Sequence, residues 1–147
     1  DWVLKNQMGG KPIVLYFYPA AMTGGCTKQA CSYRDYVKSG DSTFLVVGIS
    51  GDAVQNLKWF QVAEKLNFPL LSDPGGTIAG QFGVPVNTGE KVIVRTVEGK
   101  DVELRRSATA ARWTFVISPE GKVLYKSEKV QAAEDLNAVM AFLSKAE

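Results

Sequence analysis

Histidine is absent from this chain of 147 residues. Its absence removes the side chain that most often serves as a general base, and with it the Ser-His and Cys-His dyads. It also removes the common nitrogen ligand of zinc, so the two cysteines of the chain cannot complete a conventional structural zinc site. Any chemistry must therefore use thiols, arginine, carboxylates, hydroxyls or backbone amides.

Net charge and long apolar runs are also scarce. The formal net charge is +2, which is too small to favour nucleic acid as a main partner. No apolar run approaches the roughly 18 residues that a membrane-spanning helix needs. The length and the hydrophobic fraction of 46% are ordinary for one globular unit with its own core. We therefore expect a single domain over residues 1–147.

Strand-like and helix-like segments alternate along the chain. Near-continuous apolar runs predict buried parallel strands at Ile13–Tyr18 and Phe44–Ser50. Helical spacing and flanking turn residues predict helices at about Thr27–Lys38 and Val54–Leu66. This order is typical of the α/β thioredoxin fold, a central mixed sheet flanked by helices. The second half is predicted to hold a helix at Thr77–Phe82, a hairpin of Val92–Val97 and Val102–Arg105, a second hairpin of Trp113–Ile117 and Val123–Tyr125, and a helix at about Ala132–Ser144.

The most informative segment is Pro19–Cys26, which joins the first predicted strand to the first predicted helix. Cys26 follows two glycines at a helix N-terminus, where free backbone N–H groups and the helix dipole favour a thiolate. Thr23 can hydrogen-bond the sulfur or an incoming oxygen. In sheets of this type, sites form at the carboxyl ends of the strands, which is where this segment begins. We therefore predict that Cys26 is a reactive thiol.

The other cysteine, Cys31, follows Cys26 by five residues. On an ideal helix that spacing puts the two Cα atoms roughly 8–9 Å apart, whereas a disulfide needs less than about 7 Å. The pair can therefore bond only if the first turns of the helix unwind, which suits a redox cycle. From the spacing alone, two separate half-buried cysteines that act as small hydrophobes are an equally good interpretation.

The residues Pro19, Thr23 and Cys26 resemble the peroxiredoxin signature Pro-x-x-x-Thr-x-x-Cys. The surrounding sequence resembles the Q-type, or bacterioferritin-comigratory, branch of these AhpC/TSA-like proteins. The resemblance covers most of residues 11–145. Its matching stretches are Lys11–Pro19, Gly25–Cys31, Val47–Asp52, Leu71–Asp73, Phe82–Pro85 and Arg112–Ile117.

The resemblance implies a thiol peroxidase of the atypical two-cysteine type. Cys26 matches the peroxidatic cysteine, which becomes a sulfenic acid, and Cys31 matches the resolving cysteine, which closes an intramolecular disulfide. Thr23 and Arg112 match the residues that hold the thiolate and polarise the peroxide, and Pro19 matches the residue that shields the pocket. The implied substrate is hydrogen peroxide, with alkyl hydroperoxides as further candidates. The implied reductant is thioredoxin or a similar dithiol protein, and no metal, haem or flavin is implied.

Three features depart from the family pattern. Gly24 stands where the family commonly has proline, which should loosen the loop. The segment from about residue 87 to 111 is longer than in compact members, so we expect an inserted hairpin near the active-site mouth. Only Asp1 to Gly10 precede the first predicted strand, so we expect the N-terminal hairpin of the family to be missing.

Assembly, location and two other functions stay open at this point. The resemblance favours a monomer, in the bacterial cytoplasm or in a plastid. A general thiol–disulfide oxidoreductase is disfavoured because the chain lacks a Cys-x-x-Cys motif and a proline directly before Trp113–Ile117. A structural subunit that docks into a larger assembly through the 87–111 segment is the other alternative. Asp52 and Asp73 follow strand ends, where turn formation and helix capping are favoured over a metal or phosphate site.

Overall fold

The computed structural model of the protein describes residues 10–40 and 43–145. Strands and helices alternate through the first half of the chain, and two long strands of a separate hairpin follow. In chain order the elements are β1 (Ile13–Phe17), α1 (Gly24–Lys38), β2 (Leu45–Ser50), α2 (Val54–Glu64), β3 (Leu70–Ser72), α3 (Thr77–Gln81), β4 (Val86–Val97), β5 (Lys100–Ala110), β6 (Trp113–Ile117), β7 (Val123–Ser127) and α4 (Asp135–Lys145).

Five strands form one mixed sheet in the order β3-β2-β1-β6-β7. The central strand, β1, runs parallel to β2 and antiparallel to β6. At the two edges, β3 is parallel to β2 and β7 is antiparallel to β6. This topology, with helices packed on the sheet, confirms the predicted thioredoxin-type fold.

Strand β1 is buried on both faces, which explains why its sequence is a continuous apolar run. Because side chains alternate along a strand, its residues divide between two hydrophobic clusters. Ile13, Leu15 and Phe17 belong to one cluster, together with residues of β2 and β6. Val14 and Tyr16 belong to the other, which also contains Cys26. Cys26 therefore packs from α1 against the second face of the sheet.

Helix α1 begins at Gly24, three residues before the predicted start at Thr27. The two glycines accept helical backbone angles, and the Thr27 N–H donates to the Thr23 carbonyl at 2.8 Å, which closes the first turn. Cys26 therefore lies inside the first turn of the helix. Helix α4 begins at Asp135, later than the predicted Ala132.

The hairpin of β4 and β5 is longer than the predicted strands Val92–Val97 and Val102–Arg105. Residues outside those segments also pair across the hairpin, as Asn87 does with Thr109, so the two strands span nearly all of the 87–111 segment in which an inserted hairpin was expected. The two strands form their own sheet. The hairpin docks onto the loop between β2 and α2, where Ser107 N–H donates to the Gly51 carbonyl at 3.0 Å.

Two sequence-based expectations concern other parts of the chain. The missing N-terminal hairpin was inferred from residues 1–10, and residues 1–9 lie outside the described ranges. Among the helices within those ranges, none combines the length and apolar character needed to cross a bilayer.

Candidate active site

Cys26 is buried, with 1% of its surface exposed, and its sulfur faces one end of Arg112. Arg112 lies in the short connection between β5 and β6, and its Nη2 atom donates to Cys26 Sγ at 3.3 Å. A Cβ atom on Gly25 would lie 3.1 Å from the same Nη2 atom, so a glycine here leaves room for the guanidinium. The fold thus places a fixed positive charge directly against the predicted nucleophile.

The other terminal nitrogen of Arg112 is held by Gln29, one turn further along α1. Arg112 Nη1 donates to Gln29 Oε1 at 2.7 Å. Gln29 is fully buried, and its Nε2 atom donates to Asp135 Oδ2 at 2.9 Å. The guanidinium is therefore fixed by two contacts, one to the thiol sulfur and one to a side chain that is itself held.

Asp135, the first residue of α4, is a buried acceptor for three side chains. Besides Gln29, its Oδ2 atom accepts from Tyr33 Oη at 2.6 Å and from Thr114 Oγ1 at 2.8 Å. Burial, followed by the neighbouring Asp135 carboxylate, raises the pKa of Tyr33 well above its ordinary value. Tyr33 therefore stays protonated and continues to donate to Asp135. These three donors satisfy a carboxylate that would otherwise be costly to bury.

The active-site loop, residues 19–23, is held by two distant residues. Ala21 N–H donates to Asp52 Oδ2 at 2.8 Å, and Asp52 is itself buried beside the docked hairpin. Arg95 of β4 donates from Nε to the Met22 carbonyl at 3.0 Å. Met22 has a φ of 63°, a backbone conformation that residues other than glycine rarely adopt. The hairpin and the β2–α2 loop together fix the loop that leads to Cys26.

Two of the predicted site residues lie on this loop but do not contact the sulfur by a hydrogen bond. Thr23 donates its hydroxyl proton to the Ala20 carbonyl at 2.8 Å. Within residues 10–40 and 43–145 the structure shows no hydrogen bond between Thr23 and Cys26. Pro19, at the start of the loop, is half-buried. Their predicted catalytic roles stay predictions.

Cys31 lies in the same unbroken helix as Cys26, and both are free thiols. Its Sγ atom donates to Glu64 Oε2, at the end of α2, at 3.4 Å. Burial, followed by this hydrogen bond, raises the pKa of the Cys31 thiol. While α1 is intact, the Cys31 thiol therefore stays protonated and is not bonded to Cys26.

The two aspartates that follow strand ends have different roles. Asp73 caps α3 as predicted, because its two carboxylate oxygens accept from Ile78 N–H and Ala79 N–H at 2.9 Å each. Asp52 does more than form a turn. It accepts from Ser50 Oγ at 2.8 Å and from Asn56 Nδ2 at 3.0 Å, in addition to its bond with the active-site loop.

Sequence reasoning did not single out Gln29, Tyr33, Thr114 or Asp135 as site residues. Gln29 lies in Gly25–Cys31, one of the stretches that match the family. Its position one turn after Cys26 on the predicted helix was the sequence signal that could have identified it. Asp135 lies in the first turn of an amphipathic helix, where an acidic residue is favoured simply by the helix dipole. The sequence carries no signal that joins Asp135 to Gln29.

This arrangement supports nucleophilic chemistry at sulfur. Attack by a thiolate on a polar bond develops negative charge on the departing atom, and a fixed guanidinium stabilises that charge. Cys26 is the candidate nucleophile for such chemistry, and Arg112 is held 3.3 Å from its sulfur.

The AhpC/TSA family model matches residues 1–126. Among curated relatives, a chloroplastic peroxiredoxin Q of Triticum aestivum is 52% identical over 135 residues, which cover 85% of this chain and 54% of the wheat protein. A second relative, from Mycobacterium tuberculosis, also carries a peroxiredoxin name. It is 43% identical over 114 residues, which cover 77% of this chain and 64% of the relative. The chain thus spans less than two thirds of the length of these two relatives.

Solved structures of similar fold cover nearly the whole chain. The peroxidoxin BcpB of Mycobacterium tuberculosis superposes with a TM-score of 0.76 and 36% identity, over 98% of this chain and 85% of that one. The bacterioferritin comigratory protein of Xanthomonas campestris superposes with a TM-score of 0.74 and 28% identity, over 97% of this chain and 82% of that one. The structure of the Xanthomonas protein is described in terms of its alkyl peroxide reduction activity.

Proposed function

Because the chain belongs to the AhpC/TSA family, we propose that it is a thiol peroxidase in which Cys26 is the nucleophile. The observation that carries the proposal is the 3.3 Å contact of Arg112 Nη2 with the buried sulfur of Cys26. The Cys26 thiolate attacks one peroxide oxygen, the O–O bond breaks, and Cys26 becomes a sulfenic acid. The other oxygen takes up a proton and leaves as water or an alcohol, and Arg112 stabilises its charge as it forms.

The proposed substrates are hydrogen peroxide and alkyl hydroperoxides. Alkyl substrates are included because the similar Xanthomonas campestris protein is described as reducing alkyl peroxides. In this proposal Pro19 covers the sulfur, and the Thr23 hydroxyl oxygen accepts a hydrogen bond from the peroxide. Donation of the Thr23 proton to the Ala20 carbonyl supports that role, because it leaves oxygen lone pairs free to accept.

In the second step of the proposed cycle, Cys31 resolves the sulfenic acid. The Cys31 sulfur attacks the Cys26 sulfur, the S–O bond breaks, and the departing hydroxide is protonated to water. Both cysteines lie in one continuous helix, so the first turns of α1 must unwind for the disulfide to form. Thioredoxin or a similar dithiol protein then reduces the disulfide, and the first turns of α1 fold back into a helix.

The experiment is peroxide consumption with a thioredoxin system, using the wild-type protein, Cys26→Ser and Cys31→Ser. We expect the wild type to turn over, Cys26→Ser to be inactive, and Cys31→Ser to consume about one equivalent of peroxide and then stop. A wild-type protein that is inert to peroxide while its thiols titrate as free would refute the proposal. Reduction of a disulfide substrate by that inert protein would favour a general thiol–disulfide oxidoreductase instead.

Unwinding of α1 is tested separately by circular dichroism. Oxidation of the wild type should lower the helical signal, and addition of dithiothreitol should restore it. Cys31→Ser is the matched control, since it forms the sulfenic acid without the disulfide and should keep its helix. An oxidised protein that contains the Cys26–Cys31 disulfide and retains the full helical signal would contradict this step.

A further inference from the structure

In the proposed resolving step Cys31 must lose its proton, and a carboxylate at the end of α2 lies next to that thiol. Only the thiolate form of a cysteine is an effective nucleophile. Cys31 is a thiol that donates to Glu64 Oε2 at 3.4 Å. It must lose that proton to attack Cys26, and the carboxylate is already in contact with the proton.

We propose that Glu64 is a catalytic residue of the resolving step, the general base that accepts the Cys31 proton as Cys31 attacks the sulfenic acid of Cys26. This inference rests on the proposed peroxidase function. The proton passes from Cys31 Sγ to Glu64 Oε2, the S–S bond forms, and the S–O bond of the sulfenic acid breaks. The departing hydroxide takes up one proton from solvent and leaves as water, and Glu64 then returns its proton to solvent, so the net products are the disulfide and one water molecule.

Glu64 is held in place by Arg34, which lies one turn after Cys31 on α1. Arg34 Nη1 donates to the backbone carbonyl of Glu64 at 2.7 Å and lies 4.0 Å from its Oε2 atom. The Arg34 carbonyl in turn accepts from Asn67 Nδ2 at 3.1 Å, beyond the end of α2. These contacts tie the Cys31 part of α1 to the end of α2, so Glu64 stays next to the thiol.

The contacts around the two cysteines also indicate which of them moves when the helix unwinds. The residues directly after Cys31 are anchored, Tyr33 to Asp135 and Arg34 to Glu64. Cys26 is in the first turn of the helix, and its sulfur is held by Arg112, whose attraction weakens once the thiolate has become a neutral sulfenic acid. Unwinding from Gly24 to Ala30, with release of Gln29, therefore brings Cys26 to Cys31 and leaves Cys31 beside Glu64.

The charged groups that face Cys31 come from two elements. Glu64 of α2 and Asp35 of α1 disfavour the thiolate, and Arg34 of α1 favours it. Glu64 therefore has two opposite effects. Its negative charge lowers the amount of free Cys31 thiolate in the resting protein, while its basic oxygen supplies a path for the proton during the attack. The two effects are separable by substitution with glutamine, which keeps the shape and an acceptor oxygen but cannot take the proton.

The experiment compares Glu64→Gln with the wild type by stopped-flow tryptophan fluorescence after a peroxide pulse, from pH 5.5 to 9. The fast phase reports oxidation of Cys26 and the slow phase reports disulfide formation, checked by quenched mass spectrometry. We expect an unchanged fast phase and a slow phase about 10- to 100-fold slower near pH 6–7, since general-base catalysis is typically worth this much or more. The difference in slow-phase rate between Glu64→Gln and the wild type should shrink as the pH rises, because hydroxide then removes the thiol proton.

Two further variants serve as controls. Glu64→Asp should recover part of the slow-phase rate, and Glu120→Gln, at an exposed turn, should leave it unchanged.

A second measurement distinguishes a base from a residue that only shapes the helix. In a Cys26→Ser background, alkylation of Cys31 by iodoacetamide at pH 7 should become faster with Glu64→Gln, because a negative charge next to the thiol has been removed. Slower resolution with faster alkylation supports the assignment. Resolution that is unchanged, faster, or slowed equally at every pH would overturn it, as would slower alkylation. A wild-type protein with no fast phase would refute the proposed function itself, and the assignment with it.

Discussion

Gln29 and Asp135 are 106 residues apart in the chain and are joined by a 2.9 Å hydrogen bond from Gln29 Nε2 to Asp135 Oδ2. A carboxylate can only accept, so it turns the Gln29 amide nitrogen towards itself and the amide oxygen towards Arg112. Arg112 then donates to that oxygen with one nitrogen and to Cys26 with the other. Asp135 therefore positions the guanidinium over the sulfur without touching either group.

The first prediction concerns Asp135→Asn. All three donors bond the Oδ2 atom of Asp135. A neutral amide oxygen in its place accepts hydrogen bonds more weakly than a carboxylate, so Gln29 and Arg112 should be held less firmly. We expect the rate constant for oxidation of Cys26 by peroxide to fall by about tenfold, in line with the loss of one positioned hydrogen bond. The measurement is the fast fluorescence phase after mixing with peroxide. Asp101→Asn, at an exposed position in the hairpin, is the control and should react at the wild-type rate.

The second prediction concerns Arg112→Lys, which keeps the charge but removes the planar fork. A lysine nitrogen is a single point charge, so it cannot hold Gln29 Oε1 and Cys26 Sγ in the geometry of the guanidinium. We expect peroxide oxidation of Cys26 to slow by about 10- to 100-fold, less than for complete loss of an oxyanion-stabilising group, because the positive charge is kept. Arg106→Lys is the control, because Arg106 contacts Thr109 within the hairpin. Equal rates for Arg112→Lys and the wild type would show that charge alone is sufficient.

The third prediction concerns stability at high pH. Burial, followed by the neighbouring Tyr18, raises the pKa of Tyr16 well above 10, and burial also raises that of Tyr18. Above about pH 10 the unfolded chain releases protons that the folded chain retains, so the free energy of unfolding should fall as the pH rises. The slope is about 1.4 kcal/mol per pH unit for each such tyrosine.

Tyr16→Phe tests this slope by urea unfolding between pH 8 and 11. The substitution should reduce the slope by the contribution of one tyrosine. At pH 8 it should leave stability unchanged or raise it by about 1 kcal/mol, since the Tyr16 hydroxyl is buried without a hydrogen-bond partner among the described residues. Tyr18→Phe should reduce the alkaline slope in the same way. Wild-type and variant curves that stay parallel up to pH 11 would contradict the prediction.

The fourth prediction concerns docking of the hairpin. A Cβ atom on Gly51 would overlap the backbone carbonyl of Ala108, so Gly51→Ala should push β5 away from the β2–α2 loop. We expect a loss of about 1–3 kcal/mol in the free energy of unfolding. We also expect slower oxidation of Cys26, because Asp52, which holds the active-site loop, is the next residue. Gly80→Ala is the matched control: its Cβ would meet no atom within 4 Å, so neither property should fall.

Much of the fold was predictable because its signals are local. The apolar runs of β1 and β2 reflect burial on both faces, and the turn residues around Asp73 mark the cap of α3. The start of α1 was missed because glycines usually weaken helices, whereas here the missing side chain of Gly25 leaves room for the Arg112 guanidinium in the first turn. A hairpin was expected within the 87–111 segment, but its strands were predicted too short, because polar residues such as Asn87 and Thr109 pair across exposed strands as readily as they form loops.

The site was predictable in part. Placement at a helix N-terminus singled out Cys26, but Arg112 was identified through the family resemblance, since an arginine at the start of a strand is ordinarily a surface residue. The links from Arg112 through Gln29 to Asp135, and from Cys31 to Glu64, join separate elements. Contacts of this kind depend on how helices pack, and neither periodicity nor spacing encodes them.

The long sequence separation within the site has a consequence for synthesis of the protein. Cys26 lies near the start of the described chain, Arg112 follows it by 86 residues, and Asp135 comes later still. A nascent chain that ends before Arg112 carries the thiol without its guanidinium, and one that ends before Asp135 carries a guanidinium without its support. The site is thus assembled only after Asp135 has been synthesised, and until then the Cys26 sulfur lacks either its guanidinium or the support of that guanidinium.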